Sequence, residues 1–246
     1  FADGVEEAWL DQVFAVMALA PQHTFLVLTK RPVRMRAYFE RIALEQALVD
    51  GVLDLAPRRF DTPACNLSDS PCAAGVIEER PWPLPNLWLG VSVEDQRRAD
   101  ERIPVLLDTP AAVRWVSAEP LLGPVDLQDL TVADGSDVPS QWDGLSREWD
   151  DAAGRNRPGL DWVVAGGESG RGARPAHPDW FRSLRDQCAA AGVPFFFKQW
   201  GEWGPLDFQW RDSDASERIA SWDGRCWRIA VSTTAAANGG WRPSCC

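Results

Sequence analysis

Five short, near-continuous apolar runs, each stopped by an abrupt polar cluster, punctuate this chain. They are Thr24–Leu28 (TFLVL), Leu87–Val91 (LWLGV), Val113–Val116 (VRWV), Trp162–Ala165 (WVVA) and Val193–Phe197 (VPFFF). Apolar residues in succession, rather than alternating with polar ones, predict strands buried on both faces, as a parallel sheet demands. Helical patterns lie before and between them. Asp3-Gly4-Val5-Glu6 has capping-box spacing, and Val5, Trp9, Val13 and Met17 repeat every fourth residue. Together they predict an amphipathic helix ending at Ala20-Pro21. Pro32 suits a first helical position, and Tyr38, Phe39 and Ile42 continue that helix to about Leu48. Gln96–Leu107 is helical, with a break at Pro104. A last helix opens at Pro178, carries Phe181, Leu184 and Cys188 on one face, and stops at Gly192.

Periodicity fails in three places. Residues 50–85 mix prolines, cysteines and charges and predict a surface insertion. Residues 131–159 are acidic and rich in Gly, Pro and Ser, which fits either a long lid-like loop or a disordered excursion. Residues 204–246 are expected to form a poorly ordered tail.

Strands alternating with helices predict an α/β fold with right-handed crossovers. A doubly wound sheet gathers ligands where its strand order reverses, whereas a barrel brings every strand's C-terminal end to one mouth. All five runs here release polar groups, which favours the barrel. Five strands do not close one, so the expectation is a partial, open TIM-like barrel over residues 1–203 with parallel strands and flanking helices. The first residue is Phe1, and helix-like sequence follows at once, so the missing strands are expected upstream in a longer protein.

Composition narrows the function classes. A net charge of −11 argues against a generally basic surface, so nucleic acid is not indicated as a partner. No apolar run approaches the roughly 18 residues of a membrane span. The six cysteines form neither CxxC pairs nor a disulfide framework, and are read as free thiols of a cytoplasmic protein, with Cys188 in the core. The alternative is a bridge or shared metal at Cys65 and Cys72, with His23 and His177 far away in sequence.

The polar groups at the run ends are the candidate site: Lys30, Arg31, Ser92, Glu94, Ser117, Glu119, Gly166, Gly167, Glu168, Ser169, Lys198 and Gln199. Lys30, Arg31 and Lys198 suit phosphate or carboxylate oxygens. Glu94, Glu119 and Glu168 suit an amine, ribose hydroxyls, a metal or acid–base work. Gly166-Gly167 lets the backbone come close to a neighbour. The alternative reading is a set of ion pairs closing the sheet end, Glu119 with Arg31 for instance. Such a mouth predicts that Glu94, Glu119, Glu168 and Lys198 converge. Pro120 is expected to hold Glu119 extended. The pattern contains no hydrolytic triad, Walker loop or G-x-G-x-x-G fingerprint.

Five blocks go further: LTKRP (Leu28–Pro32), NLWLGVSVEDQ (Asn86–Gln96), RWVSAEPLLGPVDL (Arg114–Leu127), LDWVVAGGESGRGARP (Leu160–Pro175) and FFFKQWGEW (Phe195–Trp203). Together they resemble the signature blocks of an uncharacterised phage and bacterial family whose members are similar to radical S-adenosylmethionine proteins. The resemblance implies a partial α/β barrel using S-adenosylmethionine and an iron–sulfur cluster held by an N-terminal three-cysteine motif. None of the six cysteines here matches that motif, so no cluster is expected to be bound stably by this chain. The resemblance assigns no catalytic residue. Three functions remain open. One is the C-terminal part of such an enzyme, with a small-molecule or nucleotide substrate; another is a non-catalytic nucleotide- or partner-binding barrel module; the third is a non-radical barrel enzyme acting on a phosphorylated metabolite.

Overall fold

The apolar runs are strands, and a computed structural model describes them among residues 1–41, 81–132, 139–147, 149–150, 155–204, 216–222, 225–231 and 242–243. In chain order the first elements are α1 (Glu7–Leu19), β1 (Phe25–Thr29), α2 (Pro32–Phe39), β2 (Leu87–Ser92), α3 (Gln96–Asp108) and β3 (Val113–Ala118). Short strands β4 (Leu130–Val132), β5 (Ser140–Trp142), β6 (Trp149–Asp150) and β7 (Arg155–Asn156) follow. Then come β8 (Trp162–Gly166), α4 (Pro178–Ala191), β9 (Phe195–Gln199), β10 (Trp203–Gly204), β11 (Ser216–Trp222), β12 (Arg225–Val231) and β13 (Arg242–Pro243).

The main sheet has the order β1-β2-β3-β8-β9, so each strand joins beside its predecessor and the order never reverses. Pairing is parallel, with Phe25 opposite Leu87, Val116 opposite Val163 and Val163 opposite Phe195. This is an α/β protein with a five-stranded parallel sheet flanked by helices. No closed barrel forms among the described residues: β1 and β9 are the sheet's edges. All five strands run past the C-terminal ends of the apolar runs that predict them. β3 extends to Ala118, so Ser117 lies in the strand, and β9 takes in Lys198 and Gln199. Ladder hydrogen bonding is a backbone property and does not stop where side chains turn polar.

The chain divides into two compact units, the first comprising Phe1–Val91 with Val105–Arg114. Its core is aromatic: the Phe14 ring lies 5.8 Å from Phe1, 5.2 Å from Tyr38 and 5.0 Å from Phe39. That cluster corrects the expected face of α1. Leu10, Phe14, Ala15 and Ala18 are buried, while Trp9, Val13 and Val16 are about half exposed. α1 carries two apolar stripes, and the rings gathered around Phe14 select the other one. The capping box is absent too. The helix starts at Glu7, Glu6 makes no side-chain cap, and Asp3 pairs with Arg31 at 3.3 Å.

α2, expected to run to about Leu48, ends at Phe39, with the Glu40 N–H still bonded back to the Arg36 carbonyl at 2.9 Å. Residues 42–48 of that expectation lie outside the described residues, as does the expected insertion up to residue 80. The Asn86 amide ties the start of β2 to the end of α1, donating to the carbonyls of Met17 (3.0 Å), Ala20 (3.2 Å) and His23 (3.2 Å). Nearby, the Phe39 and Trp82 rings lie 6.0 Å apart.

The second unit comprises Ser92–Pro104 and Trp115–Cys246. Two features of α4 follow the sequence expectation: Pro178 sits in its first turn, and Gly192 caps it at φ 70°. His177 caps its start, Nδ1 accepting from the Asp179 N–H at 3.1 Å. The helix buries Phe181, Leu184 and Cys188. α3 corrects the predicted break: it runs through Pro104 to Asp108, with Ile103, Leu106 and Leu107 fully buried. One missing N–H is tolerable where three such side chains hold the helix in place.

Where periodicity failed, the described residues form small antiparallel ladders. β4 pairs with β5, and β6 with β7, in strands too short for a period to register. Within 204–246, β11 and β12 pair from Ser216↔Val231 to Trp222↔Arg225, with β10 and β13 both on β12.

Candidate functional site

Backbone contact with no room for a side chain defines the end of β8. A Cβ on Gly167 would lie 1.8 Å from the Trp200 carbonyl oxygen, and one on Gly201 would lie 2.2 Å from that of Glu168. Gly201 also has φ 82°, a region glycine reaches without strain. Hydrogen bonds lock the same crossing: Gly167 N–H to Gln199 O at 2.9 Å and Glu202 N–H to Glu168 O at 2.8 Å. Gly-Gly-Glu and Trp-Gly-Glu are therefore one interleaved unit. Beneath it Phe181, Phe197 and Trp200 pack with centroids 4.7–5.2 Å apart, fixing the end of β9 onto α4.

A bulge arms the neighbouring strand. Ala165 faces Phe197 but Gly166 faces Gln199, so Lys198 is the extra residue of β9. Lys198 and Gln199 thereby both reach Glu119, which follows β3. Lys198 Nζ donates to Glu119 Oε2 at 2.9 Å, and Gln199 Nε2 donates to Glu119 Oε1 at 2.9 Å. Gln199 Nε2 also donates to Ser169 Oγ at 2.9 Å. A Cβ on Gly166 would meet Glu119 Oε1 at 3.1 Å, so the carboxylate lies against bare backbone. The Glu119–Pro120 peptide is cis. Glu119 pairs with Lys198, not with Arg31.

Glu168 turns back on its own loop. Its carboxylate accepts from Arg174 Nη2 (2.6 Å), Nε (2.8 Å) and the backbone N–H (2.7 Å), a two-pronged grip that suits guanidinium geometry. Those hydrogen bonds, chiefly from the side chain, hold the Glu168 carboxyl down at about 2. A depressed acid stabilises the fold above its unfolded pKa near 4.5 and loses that contribution as pH falls toward 2. The pair is solvent-screened, so the contribution is about 1 kcal/mol. Denaturant midpoints measured from pH 6 to 2 should show it, and Glu168→Gln should flatten the slope between about pH 4.5 and 2. An unchanged slope would mean the grip does not hold in solution.

Glu94 follows β2 and takes Arg102 of α3 at 3.0 Å, both side chains only 12% exposed. Arg102 also donates to the Ser92 carbonyl at 2.7 Å. The loop after Glu119 bridges the strand ends, with Leu122 N–H on Glu94 O (2.7 Å) and Leu121 N–H on Gly166 O (3.0 Å). The charge of Glu94 is felt at Arg174, whose pKa is raised chiefly by its hydrogen bond to Glu168. Glu94, Glu119, Glu168 and Lys198 thus belong to one end of the sheet in the second unit. Ser92 and Ser117 are buried there, the Ser117 carbonyl accepting from Val93 N–H at 2.9 Å. Lys30 and Arg31 belong to the first unit, where Arg31 N–H donates to Thr29 Oγ1 at 2.9 Å.

Arg102 and Arg174 were absent from the sequence candidates. Arg174 had a signal, a second arginine closing the Gly-Gly-Glu-Ser-Gly-Arg loop; Arg102, eight residues beyond Glu94, had none outside the fold. A cavity of about 560 Å³ lies at the opposite end of the strands, beside Leu160, Asp161, Val193 and Pro194. An Arg147–Asp161 ion pair forms part of its wall.

An iron–sulfur cluster does not fit the described residues. Cys188, the cysteine whose side chain is described, is buried on α4, and burial pushes its thiol up to about 11, away from the thiolate a cluster needs. Among the described residues no three His, Cys, Asp or Glu gather to hold a metal ion, and no helix is long and apolar enough to cross a membrane. Glu168 of Gly-Gly-Glu has both oxygens on Arg174.

Fold and strand ends define a class: a parallel α/β protein whose conspicuous polar residues sit where the strands finish. The model of a family described as a protein of unknown function (DUF5131) matches residues 1–230, and the chain belongs to that family. No curated protein and no solved structure matches it.

Proposed function

We propose that this chain supplies a small-molecule mouth at the C-terminal ends of an open, barrel-like arc of parallel strands. By resemblance it is part of a radical S-adenosylmethionine-like protein, and the ligand is a nucleotide or adenosyl compound. One observation carries this reading. Glu119 after β3 is shared by Lys198 and Gln199 of β9, and through Gln199 it reaches Ser169 after β8. Three strand ends thus meet in one polar network, where barrel-type folds build their sites. The unreversed strand order supports an arc over a doubly wound sheet. No radical step is assigned to these residues; their work is to bind and orient.

The non-catalytic binding module is the second reading, favoured by the pairing of the acids. Glu94, Glu119 and Glu168 each already hold a cation, so none stands as a lone general base. Thermal unfolding of the chain with S-adenosylmethionine, nucleotides and sugar phosphates tests the mouth. A true ligand at one hundred times its dissociation constant should add about 2.7 kcal/mol of apparent stability. That gain should fall in Glu119→Gln. If no compound shifts unfolding, the mouth is not a binding site.

A further inference from the structure

We infer that the mouth recognises an oxyanion, a phosphate or carboxylate group of its ligand, through Ser169, Lys198 and Arg171. The inference rests on the small-molecule reading and names the chemistry its ligand must carry. It follows from where each hydrogen goes. Both amide hydrogens of Gln199 are spent, one on Glu119 Oε1 and one on Ser169 Oγ, each at 2.9 Å. Ser169 therefore accepts from within, and its own O–H has no acceptor among the described residues. Lys198 uses one ammonium hydrogen on Glu119 and is 52% exposed, so its other two face outward.

The acids, by contrast, are turned inward. Both Glu119 oxygens are engaged and its side chain is only 17% exposed. Both Glu168 oxygens are on Arg174. Donors are left over at Ser169 and Lys198, although the cluster is built around carboxylates and the whole chain carries a charge of −11.

Arg171 supplies the charge left over. Ala173 N–H bonds to Gly170 O at 3.1 Å and Gly172 has φ 82°, which makes 170–173 a tight turn with Arg171 at its second position. The side chain is exposed, and among the described residues it makes no hydrogen bond or ion pair. Both feet of the loop are pinned, by the Gly167–Trp200 crossing and by Trp203 Nε1 donating to Ala173 O at 2.5 Å. A loop this constrained holds its tip in place before any ligand arrives, which reduces the ordering cost of binding. A guanidinium two residues beyond Ser169 on the same loop, with Lys198 tied to that hydroxyl through Glu119 and Gln199, suits the oxygens of a phosphate or carboxylate.

Calorimetric titration of the full chain tests this with matched pairs. AMP against adenosine reads phosphate, S-adenosylhomocysteine against 5′-methylthioadenosine reads carboxylate, and inorganic pyrophosphate reads the anion alone. In at least one pair the member carrying the phosphate or carboxylate should bind about tenfold more tightly than the member without it. Arg171→Ala should erase that advantage and leave the affinity of the member without it unchanged; Arg171→Lys should restore part of it. The exposed turn position gives these variants no folding defect, which circular dichroism checks. Pyrophosphate binding that disappears in Arg171→Ala supports the oxyanion site even if no nucleoside binds. Equal affinity within both pairs overturns the inference and leaves the mouth standing. If no compound binds, pyrophosphate included, both fall.

Discussion

Gly167→Ala should destabilise the protein by about 3 kcal/mol or more, far beyond an ordinary glycine replacement in a loop. The added methyl would sit 1.8 Å from the Trp200 carbonyl oxygen and 2.7 Å from its carbon, and neither is the tip of a side chain that swings aside. Something must move, and each candidate is committed elsewhere. Trp200 is packed on Phe181 and Phe197, and Gly167 itself is bonded to Gln199. Gly170→Ala is the control, since nothing lies within 4 Å of a Cβ there and only its positive φ of 95° opposes the change. That strain is worth about 1 kcal/mol. Urea unfolding of both variants compares them. If Gly167→Ala is no worse than Gly170→Ala, the interleaved crossing is not as close as described.

The second large effect is expected at Glu94. Its ion pair with Arg102 is largely withdrawn from water, each side chain being 12% exposed. Deleting the acid in Glu94→Ala leaves the guanidinium with the Ser92 carbonyl as its remaining described acceptor. A cation stranded this way should cost about 2–3 kcal/mol, less than a wholly buried one. Removing both charges together, in Glu94→Leu with Arg102→Met, should recover much of the loss, because neither group is then left desolvated without its partner. A double-mutant cycle measures the coupling. Strictly additive single effects would mean that the two residues stabilise the fold separately.

How far the amino-acid pattern foretells this molecule depends on where the information lies. The inner strands were legible because a parallel strand buried on both faces must be apolar throughout, as Val163, Val164 and Ala165 are. The edge strands β1 and β9 correct the expectation of burial on both faces, since Leu26, Leu28 and Phe196 are about half exposed where the sheet has no further neighbour. α4 was legible at both ends because proline and glycine are tied to backbone angles rather than to neighbours. α1 existed where expected, yet its inner face did not follow from its own residues; the choice of Phe14 over Val13 belongs to Phe1, Tyr38 and Phe39. At the site the acids and Lys198 were legible as a set of strand ends. Their pairing was not. Glu119 meets Lys198 across 79 residues, through a register shift no local pattern encodes. Glu168 was a candidate for binding a ligand, and its engagement by Arg174 shows that a polar residue beside a glycine turn can equally serve the turn.

The Asn86 amide and the Phe39–Trp82 contact have a consequence for chain length. Both flanks of residues 42–80 are fixed to the same small region, the one by α2 and the other by the segment entering β2. Closing a chain between such anchored, neighbouring ends costs an entropy that rises only logarithmically with the length between them, about 0.6 kcal/mol for each doubling. Asn86 and Trp82 are the fixed points across which that closure is made.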